Sequence, residues 1–246
     1  MKKIVLSLSG GSDSTILLHK AAKEKYNEIH TISFDYGQRH CQELDCIDYQ
    51  IKDIYKKYKI NVIHTTQDVR FIKHIANTSS ITNDAIDTPD IRKIAGEAQP
   101  KSYVPYRNLI FISICAAYAE SRKIETIWHG AAGDDSLAGY WDGDISFFAA
   151  LQNVISLNRM FKVNIEAPLL KMSKKEILKE GIELGVNFAK TWTCYSNNAN
   201  GLADATTPSS SLRLKAFIDC GYRDPIQYIQ QDKLNIIYDQ NNCKYL

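Results

Sequence analysis

Cysteine is sparse in this chain: six in 246 residues, at Cys41, Cys46, Cys115, Cys194, Cys220 and Cys243, with no C-x-x-C pair. That excludes a disulfide framework and a cysteine-paired redox motif, and it fits reduced thiols in a cytoplasmic protein. No apolar run approaches the ~20 residues that cross a bilayer, so no membrane partner is expected. The run after Met1-Lys2-Lys3 stops at Gly10-Gly11, short of the ~7–15 apolar residues of a secretory signal core. Charge of one sign is also missing. Thirty basic against 28 acidic residues leave a formal net charge of +2, which gives no reason to expect nucleic acid. On that balance Lys52, Lys56, Lys57 and Lys59, interleaved with Tyr55 and Tyr58, read as a solvated helix face. Absent too are G-x-S-x-G and H-E-x-x-H, and with them the usual serine-hydrolase and zinc-protease chemistries. His19 and His30 are expected on ordinary element faces and His129 as a satisfied histidine at a strand end.

What is present is an ordinary globular composition, 44% hydrophobic and 24% charged, in which short apolar runs alternate with helical periodicity. Residues 4–8, 29–34, 60–64, 125–130 and 163–166 read as strands. Helical spacing covers residues 13–26, 42–58 and a strongly apolar stretch, 107–122, expected to lie buried against the sheet. Ser173 with Glu176 forms a capping box that starts another helix, and Gly185 is its stop. Strands interleaved with helices of this length imply an α/β fold with a doubly wound, parallel, five-stranded sheet. We expect residues 1–190 to form the nucleotide-binding domain, with 191–246 a small helical extension packed on it. The polar stretch 65–102 reads as a lid or binding loop.

The sharpest signal is Ser9-Gly10-Gly11-Ser12-Asp13-Ser14, between the Leu8 end of the first strand and the first helix. Glycines let the backbone turn tightly and bring its N–H groups to an anion. A helix N-terminus adds unpaired donors and the positive end of its dipole. Ser12 and Ser14 offer hydroxyls, and Asp13 can cap the helix or help to hold Mg²⁺. The loop lacks the Gly-Lys-Ser/Thr ending of a Walker A motif and is not G-x-G-x-x-G. It resembles the SGGxDS signature of the PP-loop ATPases, which cleave ATP between the α and β phosphates.

Four further segments resemble the 7-cyano-7-deazaguanine synthase (QueC) family. They are Phe34-Asp35-Tyr36-Gly37-Gln38-Arg39-His40 with Glu43 following, and Tyr103-Val104-Pro105-Tyr106-Arg107-Asn108-Leu109-Ile110-Phe111, where the family usually has glycine at Tyr106. The others are Ala167-Pro168-Leu169-Leu170 through Ser173-Lys174-Lys175-Glu176-Ile177 to Gly185-Val186, and Thr191-Trp192-Thr193-Cys194-Tyr195 with Leu212-Arg213-Leu214-Lys215-Ala216-Phe217. The resemblance implies adenylation of 7-carboxy-7-deazaguanine by ATP, capture of the acyl adenylate by ammonia, and dehydration of the amide to a nitrile with a second ATP. It also implies a homodimer. Leu8, the loop residues, Phe34 and Asp35 are then the candidate nucleotide contacts. Tyr36, Gln38, Arg39, His40, Tyr106, Arg107, Asn108, Gly130, Asp134 and Asp135 are the candidate substrate contacts. Ser12, Asp13, Arg39, Arg107 and Lys174 are the candidate catalytic residues, because an anionic carboxylate attacking a phosphate needs charge neutralised more than it needs a general base. Arg39 and His40 fit a solvated loop equally well, Phe34 fits plain core, and Lys174 fits an exposed first helical turn.

The chain departs from the family where the substrate binds. The family has a zinc site of four cysteines, of which Cys194 remains; the others fall at Asp204, Thr207 and Ser210, so no structural zinc is expected. The segment Gly130-Ala131-Ala132-Gly133-Asp134-Asp135, continuing to Tyr140 and Asp142, also differs, and it keeps carboxylates that suit a guanine-like edge or simply an acidic surface loop. Two alternatives therefore stand beside the synthase reading. One is a ligase that joins the adenylated acid to an amine of a protein or other partner as an amide; the other is a nucleotide-binding subunit without catalysis.

Overall fold

The computed structural model describes residues 2–38, 42–83, 85–88, 100–133, 139–194 and 201–229. The expectations for Arg39, His40, Asp134 and Asp135 lie outside the described residues. The strands are β1 (Lys3–Ser7), β2 (Glu28–Asp35), β3 (Val62–Asp68), β4 (Thr126–Trp128) and β5 (Asn164–Glu166). The helices are α1 (Ser12–Lys23), α2 (Gln42–Tyr58), α3 (Phe71–Ile75), α4 (Arg107–Ser121), α5 (Ile145–Ile155), α6 (Lys174–Glu183) and α7 (Pro208–Asp219).

The five strands lie in the order β3-β2-β1-β4-β5 and every neighbouring pair is parallel. Central strands of such a sheet are covered on both faces, so Ile4, Val5 and Leu6 of β1 form a continuous apolar run, and residues 29–34 of β2 are all buried, the polar His30, Thr31 and Ser33 included. Alternation along β1 sends Ile4 and Leu6 into one core and Val5 into the other. The first core holds Ile16 and Leu17 of α1, Ile47 and Ile54 of α2, Ile177 of α6 and Phe217 of α7. The second packs Phe111, Cys115 and Ala119, an i, i+4, i+8 stripe of α4, against Ile32, Phe34 and Ile127. Only that stripe and Ile112 of α4 are fully buried, so the helix is less enclosed than its all-round apolarity suggests.

Three boundaries differ from expectation. The first helix stops at Lys23, because Lys25 turns left-handed with φ +61°. β3 begins at Val62 and runs on through Thr65, Thr66, Gln67 and Asp68; as an edge strand with one face towards water it carries polar residues that hide it in the sequence. Residues 145–155, for which periodicity suggested no element, form α5, whose Asp144 N-cap accepts from Ser146 N–H and whose Phe147, Phe148 and Leu151 are buried. The Ser173/Glu176 capping box forms as the sequence suggests, and Gly185 turns at φ +69° after α6. No helix among the described residues is long and apolar enough to cross a membrane.

Two buried polar groups shape the folded state. Arg213 of α7 donates to Asp224 through Nε (2.7 Å) and Nη2 (3.0 Å), to Thr191 Oγ1 (2.8 Å) and to the Phe188 carbonyl (3.0 Å). Tyr228 donates to the same Asp224 at 2.7 Å. One guanidinium thus ties α7 and Asp224 to the Phe188 carbonyl and to the main chain and side chain of Thr191. His19 of α1 is fully buried beside Gln50 and Asp53, and burial, then the positive charge of Lys57, lowers its pKa to about 4. It is therefore a neutral imidazole, and its 3.7 Å approach to Asp53 is no ion pair at neutral pH.

Candidate functional site

The chain order reverses between β1 and β4, and open parallel sheets bind ligands in the crevice beyond the carboxyl ends of such strands. A cavity of about 230 Å³ opens there. The loop after β1 forms one wall. Gly10 has φ +87°, and a Cβ on it would sit 1.8 Å from the Glu43 carbonyl oxygen, so the turn admits only glycine. The hydroxyls of Ser9 and Ser14 lie 3.1 Å apart; that of Ser9 accepts from Gly11 N–H and that of Ser14 from Ser9 N–H, which braces the turn from within. Gly11 is the N-cap of α1 and supplies no side-chain bond to the helix's first N–H groups. Those donors and the dipole face the cavity, as an anion site requires.

Charge converges on the loop. Lys174, at the head of α6, donates to Asp13 at 2.6 Å; the capping box fixes the start of that helix and so the origin of the lysine. Arg107 at the head of α4 donates to the Tyr36 hydroxyl at 3.4 Å and to Asn108 Oδ1 at 3.4 Å. Burial keeps Tyr36 a phenol by raising its pKa, an effect that nearby Arg107 opposes. Phe34 stacks on Phe111 with ring centres 4.0 Å apart and gives the cavity an apolar wall. Gln38 accepts from Tyr36 N–H and donates to the Phe34 carbonyl, so both ends of its amide brace the turn after β2.

Of the described candidates, Leu8, Ser9, Gly11, Ser12, Asp13, Ser14, Phe34, Tyr36, Gln38, Arg107, Asn108, Gly130 and Lys174 line this one cavity. Gly10, Asp35 and Tyr106 do not. Asp35 accepts from Gly37 N–H and faces Arg70 at 3.9 Å. Tyr106, 58% exposed, sets its ring edge-on to Trp141. Its φ of +55° is left-handed, a conformation that costs a non-glycine residue about 1–3 kcal/mol and that glycine adopts without strain.

The cavity also takes in residues outside the candidate contacts, one of which, Asp142, the sequence offers as a carboxylate suited to a guanine-like edge. Glu43 lies buried at the head of α2, and burial raises its carboxyl well above the usual range, with Arg107 opposing and Asp13 and Cys194 adding to the rise. His129 follows β4; burial first, then the Arg107 charge, lowers it to about 4. Ser102, from the polar stretch, and Tyr140 share a 2.5 Å hydrogen bond at the rim, and Asp142 is buried beside them with its carbonyl accepting from Asn108. Thr193 and Arg213 arrive from the C-terminal segment. The packing of the Glu43 carbonyl on Gly10 and the strand-end position of His129 are the only local signals that mark these residues.

Cys194, Asp204, Thr207 and Ser210 do come together. The Cys194 sulfur accepts from Asp204 N–H at 3.2 Å and lies 3.9 Å from Thr207 Oγ1, which donates to Ser210 at 2.9 Å. The Asp204 carboxylate accepts from Thr206 N–H and from its hydroxyl. One thiol among hydroxyls and a committed carboxylate does not fit a closed tetrahedral zinc site.

The family model described as queuosine biosynthesis protein QueC matches residues 3–221. The chain is 37% identical over 239 residues to the 7-cyano-7-deazaguanine synthase of Clostridium kluyveri, covering 93% of this chain and 98% of that protein. To the 7-cyano-7-deazaguanine synthase of Thermoplasma volcanium it is 38% identical over 247 residues, covering 99% and 96%. Among solved structures, NMN synthetase from Francisella tularensis superposes with a TM-score of 0.50 at 14% identity, over 99% of this chain and 87% of that one, a likeness of fold alone.

Proposed function

This chain belongs to the queuosine biosynthesis protein QueC family, and from that membership and the cavity's geometry we propose that it adenylates the carboxylate of 7-carboxy-7-deazaguanine with ATP and passes the acyl group to an amine. The observation that supports this best is the Gly10 turn, forced against Glu43, with Lys174 and Arg107 converging on the same cavity. Backbone N–H groups of the loop and the head of α1 hold the triphosphate. Mg²⁺ accompanying the nucleotide neutralises phosphate charge, and Asp13 is the loop carboxylate that would hold it. Arg107 and Lys174 screen the repulsion as a carboxylate oxygen attacks the α-phosphorus and the bond to the β-phosphate oxygen breaks. Pyrophosphate leaves. The amine nitrogen then attacks the acyl carbon, AMP departs, and the nitrogen loses a proton to give an amide. With ammonia as the amine, the amide oxygen attacks the α-phosphorus of a second ATP and pyrophosphate leaves; departure of AMP carrying that oxygen, with loss of the two nitrogen protons, then gives the nitrile.

The departures on the substrate side, at Tyr106 and around Cys194, favour a second reading in which a larger amine, on a protein or another partner, ends the reaction at the amide. Mass spectrometry after incubation with ATP, the acid and ammonium separates the two, since nitrile as the main product rules out conjugation. Acid-dependent exchange of pyrophosphate into ATP, abolished in Ser12→Ala/Asp13→Ala, is the test of adenylation; a chain that binds nucleotide and never exchanges is a non-catalytic subunit. The homodimer proposed from the family is checked by light scattering in solution.

A further inference from the structure

His129 sits where β4 ends, at the reversal of strand order beside the phosphate loop. Its main chain is fixed, since its N–H donates to the Glu166 carbonyl at 2.9 Å. Its ring is fixed as well. Nδ1 accepts from Ala131 N–H at 3.2 Å, and the ring packs on Phe148 with centroids 5.7 Å apart. A nitrogen that accepts from a backbone N–H carries no proton, so in a neutral imidazole the proton is on Nε2. The residue is 9% exposed and lines the cavity, and Nε2 makes no hydrogen bond among the described residues. Nε2 is not sealed off from solvent, so its N–H opens on the cavity and a group that accepts from it comes from there.

We propose that His129 is a substrate-contacting residue whose neutral Nε2–H donates to the acyl oxygen of the carboxylate being activated. This rests on the adenylation reading above. The next residue, Gly130, touches the start of α1: a Cβ on it would lie 3.5 Å from Ser14 N. The donor is therefore beside the loop, where the carboxylate has to meet the α-phosphorus. Asp142 and Glu43 also line the cavity, and a carboxylate there suits ring N–H groups when ionised; a lone N–H donor suits an oxygen. The acyl oxygen gains negative charge when the amine adds to the carbonyl carbon, so a donor already aimed at it stabilises that step more than it stabilises bound acid. Neutrality is enforced from every side. Arg107 faces the imidazole from α4, Lys174 and Asp13 meet as a pair across the cavity, and Glu166 on β5 is engaged by Trp128 Nε1 at 2.8 Å. A neutral donor keeps its proton and does not protonate the ammonia or amine nucleophile.

The test compares His129→Phe, which keeps shape and the contact with Phe148 but removes both the Nε2 donor and the acceptor for Ala131 N–H, with His129→Gln, which restores an N–H. Acid-dependent pyrophosphate exchange and amide formation are followed for both, with melting temperatures and KM for ATP alongside. His129→Phe is expected to lose about 10²- to 10³-fold in kcat for amide formation, the size of one oxyanion donor, with KM for ATP nearly unchanged, while any fall in melting temperature reports the lost acceptor for Ala131 N–H. His129→Gln should recover most of that loss. In ¹⁵N spectra of the wild-type chain the Nε2–H tautomer should persist down to pH 5, and its proton should move downfield when the acid and a non-hydrolysable ATP analogue bind. Near wild-type rates in His129→Phe, equal losses in both variants, or a protonated imidazole at pH 6 would each overturn the proposal while leaving adenylation standing. A wild-type chain with no acid-dependent exchange removes the adenylation reading and this inference with it.

Discussion

The phosphate loop and the Cys194 cluster are neighbours, joined where Trp192 N–H donates to the Gly10 carbonyl at 3.2 Å, and they are built in different ways. In the loop, residues within six positions of each other make the site: Ser9 and Ser14 brace the turn, Gly10 clears the Glu43 carbonyl, and α1 supplies the donors. Around Cys194 the partners come from residues 10 to 16 positions away, and they satisfy each other with neutral hydrogen bonds at positions where the family's resemblance implies metal ligands. The first arrangement turns its helix-end donors to the cavity, as the proposed nucleotide site requires. The second is already satisfied. A site that must bind something keeps its residue types, whereas a site that only holds the chain together can exchange one cohesive device for another.

Breaking each side should show that difference. Gly10→Ala forces a Cβ into the Glu43 carbonyl at a positive φ, so nucleotide turnover should fall by several orders of magnitude while the overall fold is kept, the disturbance staying at the loop and at Trp192, whose N–H donates to the Gly10 carbonyl. Pyrophosphate exchange and near-ultraviolet circular dichroism check the two halves of that statement. On the other side, Asp224→Ala leaves Arg213 buried without its bidentate partner and should cost about 3–5 kcal/mol in urea unfolding.

A pH titration separates the two regions further. His19, under the loop helix, has a folded pKa of about 4 against an ordinary 6.5. Its contribution to stability is therefore whole above pH 6.5 and is lost as pH falls towards 4, by on the order of 3 kcal/mol when fully protonated in the unfolded chain alone. His129 titrates in the same direction. Melting temperature should drop across that window, and His19→Leu should make the drop shallower. The smallest expected effect is metal removal. A chelator should move the melting temperature by less than about 1 °C, whereas a structural zinc site would contribute about 10 kcal/mol or more; one zinc per chain by atomic emission would contradict the hydrogen-bonded cluster.

How much of this was legible depends on the distance over which each feature is assembled. The strand–loop–helix at Leu8–Ser14, the helix over Gln42–Tyr58 and the Ser173 capping box are local, and each follows from neighbouring residues alone. β3 was misplaced because an edge strand tolerates Thr65, Thr66 and Gln67 on a half-solvated face. α5 escaped because Ile145 and Val154 stay exposed while Phe147, Phe148 and Leu151 are buried, which blurs the helical period. The fold of the sheet was legible; its cavity was legible on the nucleotide side and much less so opposite. Arg213 reads as one basic residue in Leu212-Arg213-Leu214-Lys215, and nothing in its neighbourhood announces that Thr191, Phe188 and Asp224 converge on it. The tautomer of His129 is likewise set by folding, through a backbone N–H two residues on.

The most direct test of the account is the identity of the nucleotide products when the chain meets ATP and 7-carboxy-7-deazaguanine. The account predicts AMP and pyrophosphate, formed only when the acid is present and lost in Gly10→Ala. ADP and orthophosphate, or nucleotide cleavage indifferent to the acid, would contradict it.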